Sequence, residues 1–251
     1  MSDAASLLVD IGNTNIKYSW FNPDSSVLSE LLTCYTSLDA LEEISKSANS
    51  IYICCVAADS ELIKRLSQLG QPTANIVFLK ARESELGIAN SYPVVNNMGV
   101  DRWMCILACR ALGSKNYLVF HAGTALTTDA VIGHAHIGGW ISTGYTVSRR
   151  AISQQAAKVV DNSELLGTLQ FGSDTPYCVA NGALAQLIGV VSTAADLFAE
   201  QCEQFDIFIG GGDGKFLYDN LPNKLTLGCQ YFDNLVLIGM AAVVSELNKN
   251  T

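Results

Sequence analysis

The sequence predicts an α/β protein with mixed sheets, built as two halves on one plan. Short β-branched apolar runs, such as Ile51 to Val56 and Asp206 to Ile209, alternate with helical spacings, such as Asp101 to Leu112 and Asn181 to Gln204. The opening pattern of the chain, apolar strand then Gly/Thr turn then alternating strand, also recurs about 110 residues later, which is the mark of an internal duplication.

The elements follow in order. Leu7 to Trp20 reads as a β-hairpin whose turn is Gly12-Asn13-Thr14. A helix is expected over Leu38 to Lys46, a buried strand over Ile51 to Val56, a short helix over 60 to 69, and a strand over Asn75 to Leu79. Asp101 to Leu112 has helical spacing and stops at Gly113, as a helix with a C-terminal glycine does. Tyr117 to Val131 is the second hairpin, turning at Gly123-Thr124. Asn181 to Gln204 is the strongest helical pattern, Asp206 to Ile209 is a strand running into Gly210-Gly211-Gly212, and Leu235 to Leu247 is an apolar helix. The two halves are placed at residues 1–115 and 116–251, each opened by a hairpin whose turn faces a shared cleft.

Composition narrows the function. Of 251 residues, 49% are apolar and only 16% charged, which is the profile of a packed core. Net charge is -9 with no basic run, so nucleic acid and anionic membrane surfaces are excluded as partners, while a small anion can still be held by backbone N–H groups. Met1 to Ala4 lacks the basic and apolar regions of a secretion signal, and no apolar run approaches the roughly 18 residues of a membrane helix, so a cytoplasmic location is expected. The eight cysteines form no CxxC pair and read as reduced, mostly buried small hydrophobes. Cys105 and Cys109 share a helix face as part of an apolar stripe.

Each glycine turn taken alone is what any tight hairpin needs. Three of them in fixed order at strand ends suggest something more, because transferred phosphates require close backbone approach, N–H and hydroxyl donors, and a metal. Gly12 and Gly123 would admit phosphate oxygens, Thr14 and Thr124 supply hydroxyls, Lys17 a positive charge, and Asp10 would hold Mg²⁺ through water. Gly210 to Gly212 would let a nucleoside lie against bare backbone. No GxxxxGK[ST] and no strand-linked GxGxxG occurs, which rules out the P-loop and dinucleotide readings. Asp101 either caps the helix that follows it or takes a proton from a hydroxyl while Arg102 orients a carboxylate.

Asp10-Ile11-Gly12-Asn13-Thr14 with Lys17, Gly99-Val100-Asp101-Arg102-Trp103, Gly123-Thr124 with Thr128-Asp129, His136-Ile137-Gly138-Gly139 with Gly144, and Gly210 to Gly212 resemble the type III pantothenate kinase family in order and spacing across nearly the whole chain. The resemblance implies an actin-like ATPase fold of two ribonuclease-H-like domains with a nucleotide cleft between them. It also implies a homodimer and the ATP-dependent phosphorylation of pantothenate that begins coenzyme A synthesis. By position, Asp10, Ile11, Gly12, Asn13, Thr14, Asn15, Ile16, Lys17 and Thr124 would contact ATP. Asp101 would be the proton acceptor, and Tyr92, Gly99, Val100, Arg102 and Thr175 would join it around pantothenate.

The family has Asp where this chain has His121, and that Asp is linked to the monovalent cation, K⁺ or NH4⁺, that such kinases require. A neutral imidazole is a poor ligand for a hard alkali cation. A protonated His121 could instead place positive charge near the phosphates. Three readings therefore stand open: an active pantothenate kinase, a catalytically weak nucleotide-binding accessory relative, and an actin-like kinase for another small polar alcohol. Retention of Gly99 to Arg102 favours the first over the last. His134 and His136 read as structural.

Overall fold

The computed structural model describes residues 6–12, 14–22, 31–56, 59–156, 159, 161–226 and 228–249; Asn13 lies outside them. The chain divides into two compact units, one of Met1–Ser114, His134–His136 and Asn234–Thr251, the other of Lys115–Gly133 and Ile137–Asp233.

The first unit holds a five-stranded mixed sheet in the order β3-β2-β1-β4-β5, formed by β1 (Ser6–Ile11), β2 (Ile16–Phe21), β3 (Cys34–Thr36), β4 (Ser50–Cys55) and β5 (Asn75–Phe78). β1 runs antiparallel to β2 and parallel to β4, and β4 parallel to β5. The central strand is apolar on both faces because both are covered. Leu7, Val9 and Ile11 pack with Leu41 of α1 (Leu38–Ser45) and Leu66 of α2 (Ser60–Leu66). On the other side run α3 (Val100–Ala111) and α8 (Leu235–Lys249), in contact with each other and with β1 and β4. A Cβ on Gly239 of α8 would sit 1.9 Å from the Met104 carbonyl of α3, so only glycine permits this crossing. A small ribbon of β6 (Ser84–Glu85) and β7 (Ile88–Ala89), with Ala135 pairing to Ala89, completes the unit.

In the second unit the sheet order is β12-β11-β8-β9-β10, from β8 (Tyr117–Ala122), β9 (Ala125–Ile132), β10 (Ala135–Thr143), β11 (Asp206–Gly210) and β12 (Cys229–Tyr231). β8 and β9 form the second hairpin, and β11 lies parallel to β8 and β12. The core joins Leu118, Phe120 and Leu126 to the apolar face of α5 (Thr175–Ala199), with α6 (Gly214–Asp219) and α7 (Asn223–Thr226) alongside. By length and composition α5 is apolar enough to cross a membrane, which corrects the sequence expectation that nothing approaches that length; eleven of its side chains are buried in this unit. Helix α4 (Tyr145–Gln155) precedes it.

None of the eight cysteines is in a disulfide, and four of them, Cys54, Cys105, Cys109 and Cys229, are buried. Cys34 and Cys178 are exposed, more than the sequence predicts.

Candidate active site

Asp10, the penultimate residue of β1, lies on the sheet face opposite Leu7, Val9 and Ile11, because strand side chains alternate. The register sets it across from Lys17 on β2 and beside Cys54 on β4. Burial pushes its carboxyl pKa up to about 7; the Lys17 charge opposes this and the neighbouring Asp101 carboxylate reinforces it. Lys17 is itself 9% exposed, its ammonium 5.2 Å from the centroid of the Tyr35 ring. The hairpin turn is tied by the Gly12 N–H donating to the Asn15 carbonyl at 3.1 Å, with Thr14 and Asn15 exposed at its tip.

Asp101 stands in the first turn of α3, where a carboxylate favours the positive helix end. Its Oδ1 accepts from the Arg102 backbone N–H at 2.8 Å. Gly99 is the N-cap, and a Cβ there would come 2.7 Å from that same Oδ1, so the glycine is what lets the carboxylate fold back over the helix start. Arg102 is buried and donates from Nη1 to the Tyr92 hydroxyl at 2.8 Å, its guanidinium 5.8 Å from the ring centroid. Tyr92 in turn stacks on His136 at 6.4 Å and 14°, and the Ser91 hydroxyl lies 3.0 Å from His136 Nδ1. The Asn90 side chain accepts from the Tyr92 N–H at 3.0 Å. One unit thus brings together Asp10, Lys17, Gly99, Val100, Asp101, Arg102 and Tyr92 from three separated stretches of chain.

Behind them, the Trp103 indole donates to a buried Glu85 oxygen at 2.9 Å. Desolvation raises the Glu85 carboxyl, although the indole and Arg82, at 3.4 Å, favour its charged form. His136, Ser91, Asn90 and Glu85 are missing from the sequence-derived site. His134 Nδ1 lies 2.9 Å from the Gly87 carbonyl and 3.3 Å from Arg110 Nη2.

The second unit holds Thr124, His121 and Thr175. The β8–β9 turn is wedged: a Cβ on Gly144 would lie 1.9 Å from the Gly123 carbonyl, and one on Gly211, whose φ is +93°, would lie 2.2 Å from the Ala122 carbonyl. Close backbone packing therefore accounts for those two glycines. It does not account for Gly123, where an added Cβ meets nothing within 4 Å. His121 is half-buried, across from Thr127 and beside Gly210. Thr175 opens α5 exposed, after the Asp174 cap that accepts from the Tyr177 N–H at 3.0 Å. The segment leading to it is tied down by buried Arg149, which holds Asp161 at 2.5 Å, and by Asn181, which bonds Thr168 N–H and the Gln170 carbonyl. A hollow of about 640 Å³ between Lys115, Asp196, Asp206 and Lys224 lies at the opposite strand ends from Gly123 and Gly210. Ligands of open α/β sheets bind at the C-terminal strand ends, so that hollow is not the site.

No group of three or more metal-ligating side chains occurs among the described residues. Mg²⁺ nevertheless fits, since it keeps several waters and takes one or two carboxylates plus substrate phosphates, and a cation beside Asp10 would relieve the repulsion from Asp101. A potassium-type cation does not fit at His121, which offers nitrogen where a hard ion needs oxygen.

Comparison with known proteins agrees with this architecture. A candidate Baf-family transcriptional activator of Campylobacter jejuni superposes with TM-score 0.63 at 21% identity, covering 98% of this chain and all of that one. The ROK hexokinase of Thermus thermophilus superposes with TM-score 0.52 at 13% identity, covering 98% and 99%. The fold is that of the actin-like ATPases and sugar kinases. A sequence profile described as Type III pantothenate kinase matches residues 6–196. Among relatives, the type III pantothenate kinase of Pseudomonas aeruginosa is 31% identical over 252 residues, spanning 94% of this chain and 97% of its own length. That of Idiomarina loihiensis is 30% identical over 268 residues, spanning 96% and 99%. The chain belongs to the type III pantothenate kinase family.

Proposed function

We propose that this protein transfers the γ-phosphoryl group of ATP to the hydroxyl of pantothenate, giving 4'-phosphopantothenate and opening coenzyme A synthesis in the cytoplasm. The observation that carries this is the carboxylate of Asp101, fixed over the start of α3 by its own helix and set next to the Arg102–Tyr92 pair. Oδ1 is engaged by the backbone, which leaves Oδ2 to accept the proton of the substrate hydroxyl as its oxygen attacks the γ-phosphorus in line and ADP departs. Arg102, with Tyr92, Gly99, Val100 and Thr175, orients pantothenate, the guanidinium taking its carboxylate. Lys17 and the backbone and hydroxyl donors from Asp10 to Lys17, including Asn13, hold the ATP phosphates, and Thr124 adds another contact. Mg²⁺ held by Asp10 through water neutralises phosphate charge.

The phosphoryl step does not pass through a monovalent cation, since His121 does not suit one. The family resemblance makes the working enzyme a homodimer, and a second copy would cover exposed apolar side chains such as Leu166, Leu169, Phe171 and Tyr177.

The test is pantothenate phosphorylation by the purified protein, with and without potassium, beside Asp101→Asn. Turnover that is indifferent to potassium and lost in the variant is the expected result. Nucleotide binding without turnover in any salt would overturn the assignment.

A further inference from the structure

Every residue of β10 is exposed or half-buried except one. That one is His136, 2% exposed, and a buried imidazole must find partners for its ring and its nitrogens. Strand pairing sets its place: Ala135 lies beside Ala89 of β7, and the Ala89 N–H donates to the His134 carbonyl at 2.8 Å. The chain leaving β7 is Asn90-Ser91-Tyr92, so the pairing that fixes residues 134–136 also brings the imidazole against Tyr92.

Tyr92 lies between β7 and the short helical turn Val95–Asn97, in neither strand nor helix. Its orientation is therefore set by contacts. Asn90 Oδ1 accepts from its N–H at 3.0 Å, Arg102 Nη1 donates to its hydroxyl at 2.8 Å, and the His136 ring stacks on its own at 6.4 Å and 14°. His136 is steadied in turn by the Ser91 hydroxyl, 3.0 Å from Nδ1. An arginine reads a carboxylate through a planar fork, so the aim of the fork matters as much as its charge. The tyrosine hydroxyl can set that aim only as firmly as the tyrosine ring is held.

We propose that His136 is a positioning residue for the substrate carboxylate: it holds the Tyr92 ring, and through the Tyr92 hydroxyl it fixes the guanidinium of Arg102. The inference rests on the assignment of Arg102 to the carboxylate of pantothenate. A side chain that merely fills the core would occupy the same place, and the experiment separates the two roles.

The full-length protein is assayed with pantothenate and with its alcohol analogue, in which a hydroxymethyl group replaces the carboxylate; the analogue is followed by its KM or, where it is not turned over, by its inhibition constant. His136→Ala is expected to raise the KM for pantothenate about fivefold, the worth of one aromatic pair, with kcat and the KM for ATP little changed. The constant for the alcohol should stay within about twofold, because it offers the fork no carboxylate. His136→Leu, similar in volume but without a ring, should show the same loss, and it serves if His136→Ala does not fold. His136→Phe restores a ring to stack on Tyr92 and should recover most of the loss. In Tyr92→Phe, which has no hydroxyl to reach Arg102, adding His136→Ala should cost little more. An unchanged KM in His136→Ala and His136→Leu, an equal rise for pantothenate and the alcohol, or full additivity with Tyr92→Phe overturns the inference while the kinase reading stands; the last two are what a core filler would give. Absence of turnover in the unaltered protein overturns the kinase reading, and this inference with it.

Discussion

Two residues before the turn glycine of the first hairpin stands Asp10, across from Lys17; two before the turn glycine of the second stands His121, across from Thr127. The two hairpins share one grammar, yet the first places opposite charges face to face while the second carries no carboxylate and no lysine at those positions. Under the proposed function the two turns would hold phosphate in different ways, the first through a charged pair whose protonation matters, the second through backbone and hydroxyl donors on a frame clamped by Gly144 and Gly211.

The comparison is broken most sharply in the first unit. Asp101→Asn keeps the Oδ1 that caps Arg102 N–H and removes the proton acceptor, so kcat should fall by something on the order of 10²–10⁴-fold with the circular dichroism spectrum unchanged. A spectrum that changes would show that Asp101 acts as a helix cap.

Asp10→Asn should weaken Mg-nucleotide binding and at the same time stabilise the unliganded fold in alkaline buffer. The folded carboxyl titrates at about 7 against 3.8 unfolded, so folding takes up a proton between those values. That contribution is fully present below pH 3.8 and lost as pH rises through about 7. Thermal melts at pH 5 and pH 8 should show the variant gaining, relative to the unaltered chain, roughly a few degrees at the higher pH. Equal shifts at both pH values would contradict the raised pKa. For the same reason kcat/KM should decline below about pH 7, where Asp10 becomes protonated in the free enzyme.

The second hairpin gives a subtler contrast. Gly123→Ala introduces a Cβ that meets nothing, whereas Gly144→Ala drives one into the Gly123 carbonyl. The first variant should melt like the unaltered protein while its affinity for ATP drops about tenfold, and the second should lose stability outright. Isothermal titration of Gly123→Ala with full nucleotide affinity would return that glycine to turn chemistry alone. Smallest is Tyr92→Phe, which removes the hydroxyl from Arg102 and should raise the KM for pantothenate about fivefold with little change in kcat.

Much of this was legible in the sequence because it is local. Both hairpins, β4, β5, α1, α2, α3, β11 and α8 lie where periodicity and turn residues put them. Helix α5 begins at Thr175, six residues before the start expected at Asn181; the Asp174 cap and Pro176 carry that signal, and it is a capping signal rather than a periodic one. Helix α4 is rich in Ser, Arg and Gln, and β10 is largely exposed and interrupted by Gly138-Gly139, so neither shows an apolar rhythm. The motif residues Asp10, Gly99, Asp101 and Arg102 could be read directly. Their supports could not: Tyr92 on His136, Trp103 on Glu85 and Asp10 beside Cys54 are contacts across tens of residues, and local spacing does not encode tertiary neighbours.

The return of α8 to the first unit has a consequence for synthesis. Residues 115–233 contain the whole of the second unit and leave the ribosome before α8 is made, whereas the face of β1 and β4 that carries Asp10 and Cys54 stays without one of its two covering helices until residues 235–249 emerge. The unit that begins to be translated first is therefore the one completed last, and a nascent chain halted before residue 235 would present a half-covered sheet to chaperones.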